Sequence, residues 1–126
     1  MKIRHKVWLE KNGKTIFCKG RQELLRSIDE LQSLSAAAKK LNMSYRAAWG
    51  KLKTSEERLG VKLTCLQAHG KGMSLTAEAR ALLNKFDELQ RDASSFFNDY
   101  VHNFSSGKKI KKHLKTNNKV VEHFSQ

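Results

Sequence analysis

The chain of 126 residues carries 25 Lys and Arg against 12 Asp and Glu, which gives a formal net charge of +13. This length corresponds to one ordinary domain and excludes two large ones. No apolar run approaches the ~18 residues of a membrane span, and no signal-peptide pattern follows the basic start. We therefore expect a cytoplasmic protein that does not cross a membrane.

The charge excess indicates the class of partner. A strongly positive chain attracts polyanions, so nucleic acid is the leading candidate, while an anionic membrane surface or an acidic protein stays open at this point. Cys18 and Cys65 lie far apart outside any CxxC pattern, and the five histidines show no metal-ligand spacing. The adjacent carboxylates Glu56-Glu57 and Asp87-Glu88 point apart on a helix, and we expect them to be solvated. Neither an enzyme nor a cofactor is predicted.

The first element in chain order is a β-hairpin. Apolar residues alternate on both sides of Asn12-Gly13, a pair that supplies the two positive-φ positions of a type I′ turn. We expect Trp8 and Phe17 on one face of the hairpin. The opposite face would carry Val7, Leu9, Ile16 and Cys18.

Three helices follow, and the last two are arranged as a helix-turn-helix. Apolar spacings of three and four predict the first helix over Arg21 to Gln32. Ser35 is the predicted N-cap of the second helix, and Ser44 caps a third that extends to about Leu59. A turn of about three residues between the last two helices is typical of the motif. The inward face of the third helix would consist of Ala48, Leu52, Ser55 and Leu59.

A wing and a long helix complete the predicted fold. Alternating residues over 61–66 and 74–76, around a basic loop between glycines, predict a β-wing. From Ala77 onward a heptad seam runs for roughly 28 residues, so this helix would be about 40 Å long and would outreach its own domain. We predict that the seam pairs two copies of the chain through Leu82, Phe86, Leu89, Phe96 and Tyr100.

The predicted fold class is therefore α+β, a winged helix-turn-helix with an N-terminal hairpin and a long C-terminal dimerisation helix. The DNA-binding domain would cover residues 1–76 and the dimerisation helix residues 77–104. Residues 105–126 hold six lysines and one glutamate, and we expect them to form a mobile basic tail.

The third helix carries the strongest functional signal. Residues near the N-terminus of such a helix reach base edges in the major groove. Arg46 is suited to a bidentate contact with guanine, and Tyr45 with Trp49 could reach thymine methyls and sugars. The alternative for Trp49 is a core anchor, and that for Arg46 is a solvated side chain. The predicted DNA contacts are Ser35, Ser44, Tyr45, Arg46, Trp49, Lys53 and Lys71.

These motifs carry a family resemblance. The stretch from Leu34 to Trp49, followed by Leu59-Gly60-Val61 and Leu75-Thr76, resembles the winged helix-turn-helix of LysR-type regulators, and more closely still the DNA-binding domain of the molybdate-responsive ModE regulators. The resemblance implies a dimeric, sequence-specific transcription factor that reads DNA through Ser44, Tyr45, Arg46 and Trp49. A lysine-rich tail stands where ModE proteins have molybdate-binding domains, so no molybdate site is expected in this chain.

The resulting hypothesis is a homodimeric transcriptional regulator that binds double-stranded DNA. One alternative is an architectural, nucleoid-type protein that coats DNA through its net charge. The other is an adaptor whose exposed helical seam docks a second protein. A selection from random duplexes separates the first alternative from the hypothesis, and sedimentation separates the second.

Overall fold

The computed structural model describes residues 1–67, 70 and 72–105. In chain order these residues form β1 (Leu9–Lys11), β2 (Lys14–Phe17), α1 (Lys19–Leu31), α2 (Leu34–Lys40), α3 (Tyr45–Leu59), β3 (Thr64–Leu66), β4 (Met73–Leu75), α4 (Ala77–Val101) and a 3-10 turn (His102–Phe104). The predicted order of elements is confirmed. The predicted basic tail, from residue 106 onward, lies outside the described residues.

The chain divides into two compact units. One comprises Lys6–Leu89 and contains the hairpin, the first three helices, the wing and the start of α4. The other comprises Met1–His5 with the chain from Gln90 onward. No helix among the described residues is long and apolar enough to cross a membrane.

The hairpin turns at the predicted residues but contains an irregularity. Asn12 and Gly13 have φ values of 53° and 77°, as a type I′ turn requires. A register shift between Leu9 and Glu10 then pairs Leu9 with Phe17. Phe17 is fully buried, whereas Trp8 is 47% exposed, so the prediction that these two side chains share a face was wrong. Ile16 is the extra residue and lies in β2, so Phe17 pairs with Leu9 and shares its face.

The core of the larger unit is built on two aromatic rings in edge contact. The rings of Phe17 and Phe86 lie 5.0 Å apart at 88°. Leucines and alanines from the first three helices surround them, together with Leu63 and Leu75 from the wing. Phe86 is only 1% exposed, which corrects its assignment to a dimer interface. Its side chain is buried in the core of its own subunit.

The helix-turn-helix is capped at each turn. Ser33 accepts a hydrogen bond from the Ala36 amide at 3.0 Å and is therefore the N-cap of α2. The prediction that Ser35 caps this helix was wrong by two residues. Ser33 and Ser35 both precede the same run of alanines, so the sequence pattern is compatible with either serine as the N-cap. Ser44 caps α3 as predicted, and Gly60 ends α3 in the left-handed conformation with a φ of 73°.

The smaller unit joins the N-terminal residues to the second half of α4. The His5 ring lies 4.6 Å from the Phe97 ring, and its Nε2 atom is 3.4 Å from the Ser94 hydroxyl. Phe96 stacks on Tyr100 at 5.8 Å, and Tyr100 contacts Phe104 at the same distance. A row of aromatic rings thus runs along this part of the helix.

Candidate nucleic-acid interface

The first turns of α3 present a polar and aromatic surface. The Ser44 hydroxyl accepts a hydrogen bond from the Ala47 amide at 3.0 Å and begins the helix. Tyr45 is 55% and Trp49 48% exposed, and Arg46 between them is also exposed. Ala48, Leu52 and Ser55 are buried on the opposite side, as predicted, and Leu59 packs against the same core. The helix is therefore held from behind while its N-terminal side faces outward.

A groove separates this surface from the wing. It has a volume of about 520 Å³, and its lining includes Tyr45, Trp49, Lys62, Leu66 and Met73. Leu66 on β3 is 73% exposed. Two lysines, Lys53 and Lys62, and several apolar side chains thus lie between α3 and the wing, which is a lining suited to the sugar and base edges of a duplex.

Lys53, one turn further along α3, is engaged within the protein. Its Nζ atom lies 3.2 Å from Glu56 Oε1 and 5.7 Å from the centre of the Trp49 ring. The first distance is an ion pair, and the second is within the range of a cation–π contact. The Lys53 side chain is 37% exposed.

Glu56 links α3 to the start of the wing. Its second oxygen, Oε2, accepts a hydrogen bond from the Leu63 backbone amide at 2.7 Å. The residue is only 7% exposed, so the expectation that Glu56-Glu57 forms a solvated pair was wrong for Glu56. Burial raises the pKa of Glu56, but the Leu63 amide and the charges of Lys53 and Lys62 lower it more, and the net pKa lies below its ordinary value.

The base of the wing is attached to the end of α1. The Gln32 carbonyl accepts a hydrogen bond from the Met73 amide at 2.9 Å, and its side chain accepts one from Gln67 at 2.7 Å. Gly72 has a φ of 89°, and a Cβ atom there would lie 2.8 Å from the Gln32 oxygen. Local patterns in the sequence did not indicate this attachment, because it joins residues far apart in the chain.

Two predicted contacts stand apart from the α3 surface. Ser35 is exposed in the first turn of α2 and does not cap that helix. Lys71, in the loop of the wing, lies outside the described residues, as does His69. Within the described part of the chain, no group of histidine, cysteine and carboxylate side chains could hold a metal ion.

Hairpin, helix-turn-helix, wing and exposed third helix together define a winged helix-turn-helix DNA-binding domain. Residues 21–80 match the family described as "Bacterial regulatory helix-turn-helix protein, lysR family". These residues are thus similar to the helix-turn-helix domain of LysR-type regulators. No curated protein matches the chain.

Solved structures agree with this assignment. The CbnR_DBD–DNA complex is 26% identical with a TM-score of 0.52, over 68% of this chain and 97% of that chain. Full-length CbnR complexed with its target DNA is 27% identical with a TM-score of 0.51, over 66% of this chain but only 28% of that one. The BenM_DBD/benA site 1 DNA complex, at 19% identity and a TM-score of 0.52, supports the fold alone. The chain spans about a quarter of the full-length regulator.

Proposed function

We propose that this chain is a sequence-specific transcriptional regulator that binds double-stranded DNA as a homodimer, with α3 in the major groove. The observation that carries the proposal is the start of α3. There Tyr45, Arg46 and Trp49 face outward while the opposite side of the helix is packed into the core. The similarity to a DNA-binding domain whose structure was solved on DNA supports the same function.

Each exposed residue has a distinct part in this proposal. Arg46 makes a bidentate contact to guanine, and Tyr45 and Trp49 contact thymine methyls and sugars. Ser44 and Ser35 approach the sugar-phosphate backbone of the DNA. Lys71 contacts a phosphate from the wing, an assignment that stays a prediction from the sequence. The net charge of +13 supplies attraction that does not depend on sequence.

The homodimer is proposed through the second half of α4. Phe96 is 48% exposed and Leu89 38% exposed, and Tyr100 continues the aromatic row. Leu82 is partly buried against the core, and Phe86 is withdrawn from the interface by its burial. Sedimentation at micromolar concentration should show a dimer. A monomer there would favour the adaptor instead.

The decisive experiment is a selection of bound duplexes from a random library. The protein should enrich a preferred site with half-sites about one helical turn, or a multiple of it, apart. Arg46→Ala should relax the preference at one guanine, a loss of about 1–3 kcal/mol. Arg91→Ala, which removes the same charge from an exposed position on α4, is the matched control and should leave the selected sequence unchanged.

An architectural protein is the second candidate, and the charge of +13 favours it. It would enrich no sequence and would show a steep salt dependence on every duplex. That result would refute the proposal of a sequence-specific regulator.

The finer likeness to ModE-type DNA-binding domains also remains a proposal. The string from Ser44 to Trp49 supports it. Duplexes bound by ModE proteins should then compete with the selected site for this chain, and failure to compete would leave the broader LysR-type assignment intact.

A further inference from the structure

Three side chains on one side of α3 form a continuous contact path from the recognition surface to the wing. Trp49, Lys53 and Glu56 follow one another at intervals of four and three residues, which places them on adjacent turns. The Lys53 ammonium contacts the Trp49 ring at 5.7 Å and the Glu56 carboxylate at 3.2 Å. Glu56 then binds the Leu63 amide at 2.7 Å.

We propose that Lys53 and Glu56 are positioning residues, which hold the Trp49 ring and the strand of the wing in one fixed geometry for DNA. Lys53 is then not itself a DNA contact, which differs from the prediction made from the sequence. This inference rests on the proposed function of the α3 surface, because positioning has meaning there only if Trp49 meets a base or sugar.

The charges argue against a phosphate contact by Lys53. Its ammonium is paired with a carboxylate that is 7% exposed, so the pair has nearly no net charge to offer to a phosphate. If Lys53 turned toward DNA, Glu56 would keep the Leu63 amide and the more distant charge of Lys62 but would lose its ion pair. Removing the paired cation from a carboxylate that is 7% exposed is unfavourable. The ion pair therefore keeps Lys53 at the protein side of the interface.

The two oxygens of Glu56 explain how the wing is included. One oxygen faces a lysine of α3, and the other faces the backbone of Leu63, which is 1% exposed in the core. Thr64, the next residue, begins β3. A single carboxylate thus sets both the rotamer of Lys53 on the helix and the position at which the chain enters the wing. Both walls of the groove between α3 and the wing depend on it.

A first experiment tests the Trp49 contact without DNA. Trp8 and Trp49 are the two tryptophans of the chain, so a Trp8→Phe background leaves Trp49 as the sole indole fluorophore. Lys53→Met should change the emission of Trp49, because the cation leaves the ring while the aliphatic stem stays. Lys53→Arg should restore it, and Lys51→Met, an exposed lysine of the same helix, should have no effect. An unchanged emission in Lys53→Met would overturn the proposal.

A second experiment separates positioning from phosphate contact on the selected duplex. If Lys53 is a positioning residue, Lys53→Met should lower the affinity for the duplex about threefold to tenfold without changing how steeply affinity depends on salt. The same change should have no effect on affinity in a Trp49→Ala background. A phosphate contact would instead lower the slope by about 0.9 and cost the same in both backgrounds, which would overturn the proposal. Lys51→Met measures the general effect of removing one charge from α3.

Glu56→Gln provides a second variant that tests the carboxylate. The amide oxygen can still accept the Leu63 hydrogen bond, so the chain should fold, but the charge that holds Lys53 is gone. We expect the affinity loss of Lys53→Met, and no further loss when both changes are combined. Additive losses would overturn the proposal. A wild-type protein that enriches no duplex would refute the proposed function, while the Trp49 emission would still test the contact path.

Discussion

The buried carboxylate of Glu56 should contribute more to the stability of the fold than an exposed ion pair of better geometry. Lys40 and Glu30 are 2.7 Å apart, yet both side chains are about half exposed. Such surface pairs contribute about 0–1 kcal/mol. Glu56 is 7% exposed, and it accepts a hydrogen bond from a buried amide at 2.7 Å. Hydrogen bonds to charged groups contribute about 1.5–3 kcal/mol.

The size of the effect depends on which interaction is removed. Glu56→Gln exchanges a charged acceptor for a neutral one, so we expect a loss of about 1–2 kcal/mol in the free energy of unfolding. Glu56→Ala also leaves the Leu63 amide buried without a partner and should cost about 2–4 kcal/mol. Glu30→Gln, the matched control, should change stability by less than about 0.5 kcal/mol. Urea denaturation at pH 7 measures all three variants.

The pH dependence gives a second test of the same reasoning. The folded state lowers the pKa of Glu56 from its ordinary value of 4.5. Its stabilisation is therefore fully present above that value and is lost as the pH falls through the lowered pKa. The gap between wild type and Glu56→Gln should be constant from neutral pH down to about 5 and shrink below it. A gap that stayed constant down to about pH 3, or an equal loss in Glu30→Gln, would refute the reasoning.

Two further predictions concern the backbone of the domain. Gly72→Ala should destabilise the fold by about 1–3 kcal/mol in urea denaturation, because the φ of Gly72 is positive and the new Cβ would lie 2.8 Å from a carbonyl oxygen. Gly50→Ala is the control: Gly50 lies inside α3 with open space around it, so this change should stabilise the fold by about 0.5–1 kcal/mol. Ser33→Ala should cost about 1 kcal/mol by loss of the N-cap of α2 in thermal or urea unfolding, and Ser35→Ala should cost nearly nothing; equal losses would contradict the cap assignment.

Most of the fold was predictable because its signals are local. Asn12-Gly13 has the backbone preferences of one turn type. Ser44 begins α3 and Gly60 ends it, each through its own capping geometry. The exposed side of α3 followed from its apolar period, so Tyr45 and Arg46 were placed correctly at the surface. In each case the residue that determines the structure lies within a few positions of the structure it determines.

The errors have a common physical origin in tertiary contacts. A heptad seam shows which side of α4 is apolar, but the same period serves the subunit core and a partner helix alike. Phe86 therefore could not be assigned to the core before its contact with Phe17 was known. The face of Phe17 in turn depends on the extra residue Ile16 in β2, which the alternation of apolar residues does not show.

The position of Glu56 implies that different residues provide the electrostatic attraction to the duplex and the discrimination between DNA sequences. Because Glu56 neutralises Lys53, Arg46 is the charged member of the exposed set at the start of α3, alongside Tyr45 and Trp49. Attraction to the duplex then comes mainly from the net charge of +13 spread over the chain, which salt screens. The proposed contacts of Tyr45, Trp49 and Arg46 with the bases are short-ranged and should respond little to salt. Affinity should therefore fall steeply as salt rises, while the ratio between preferred and random duplexes stays nearly constant.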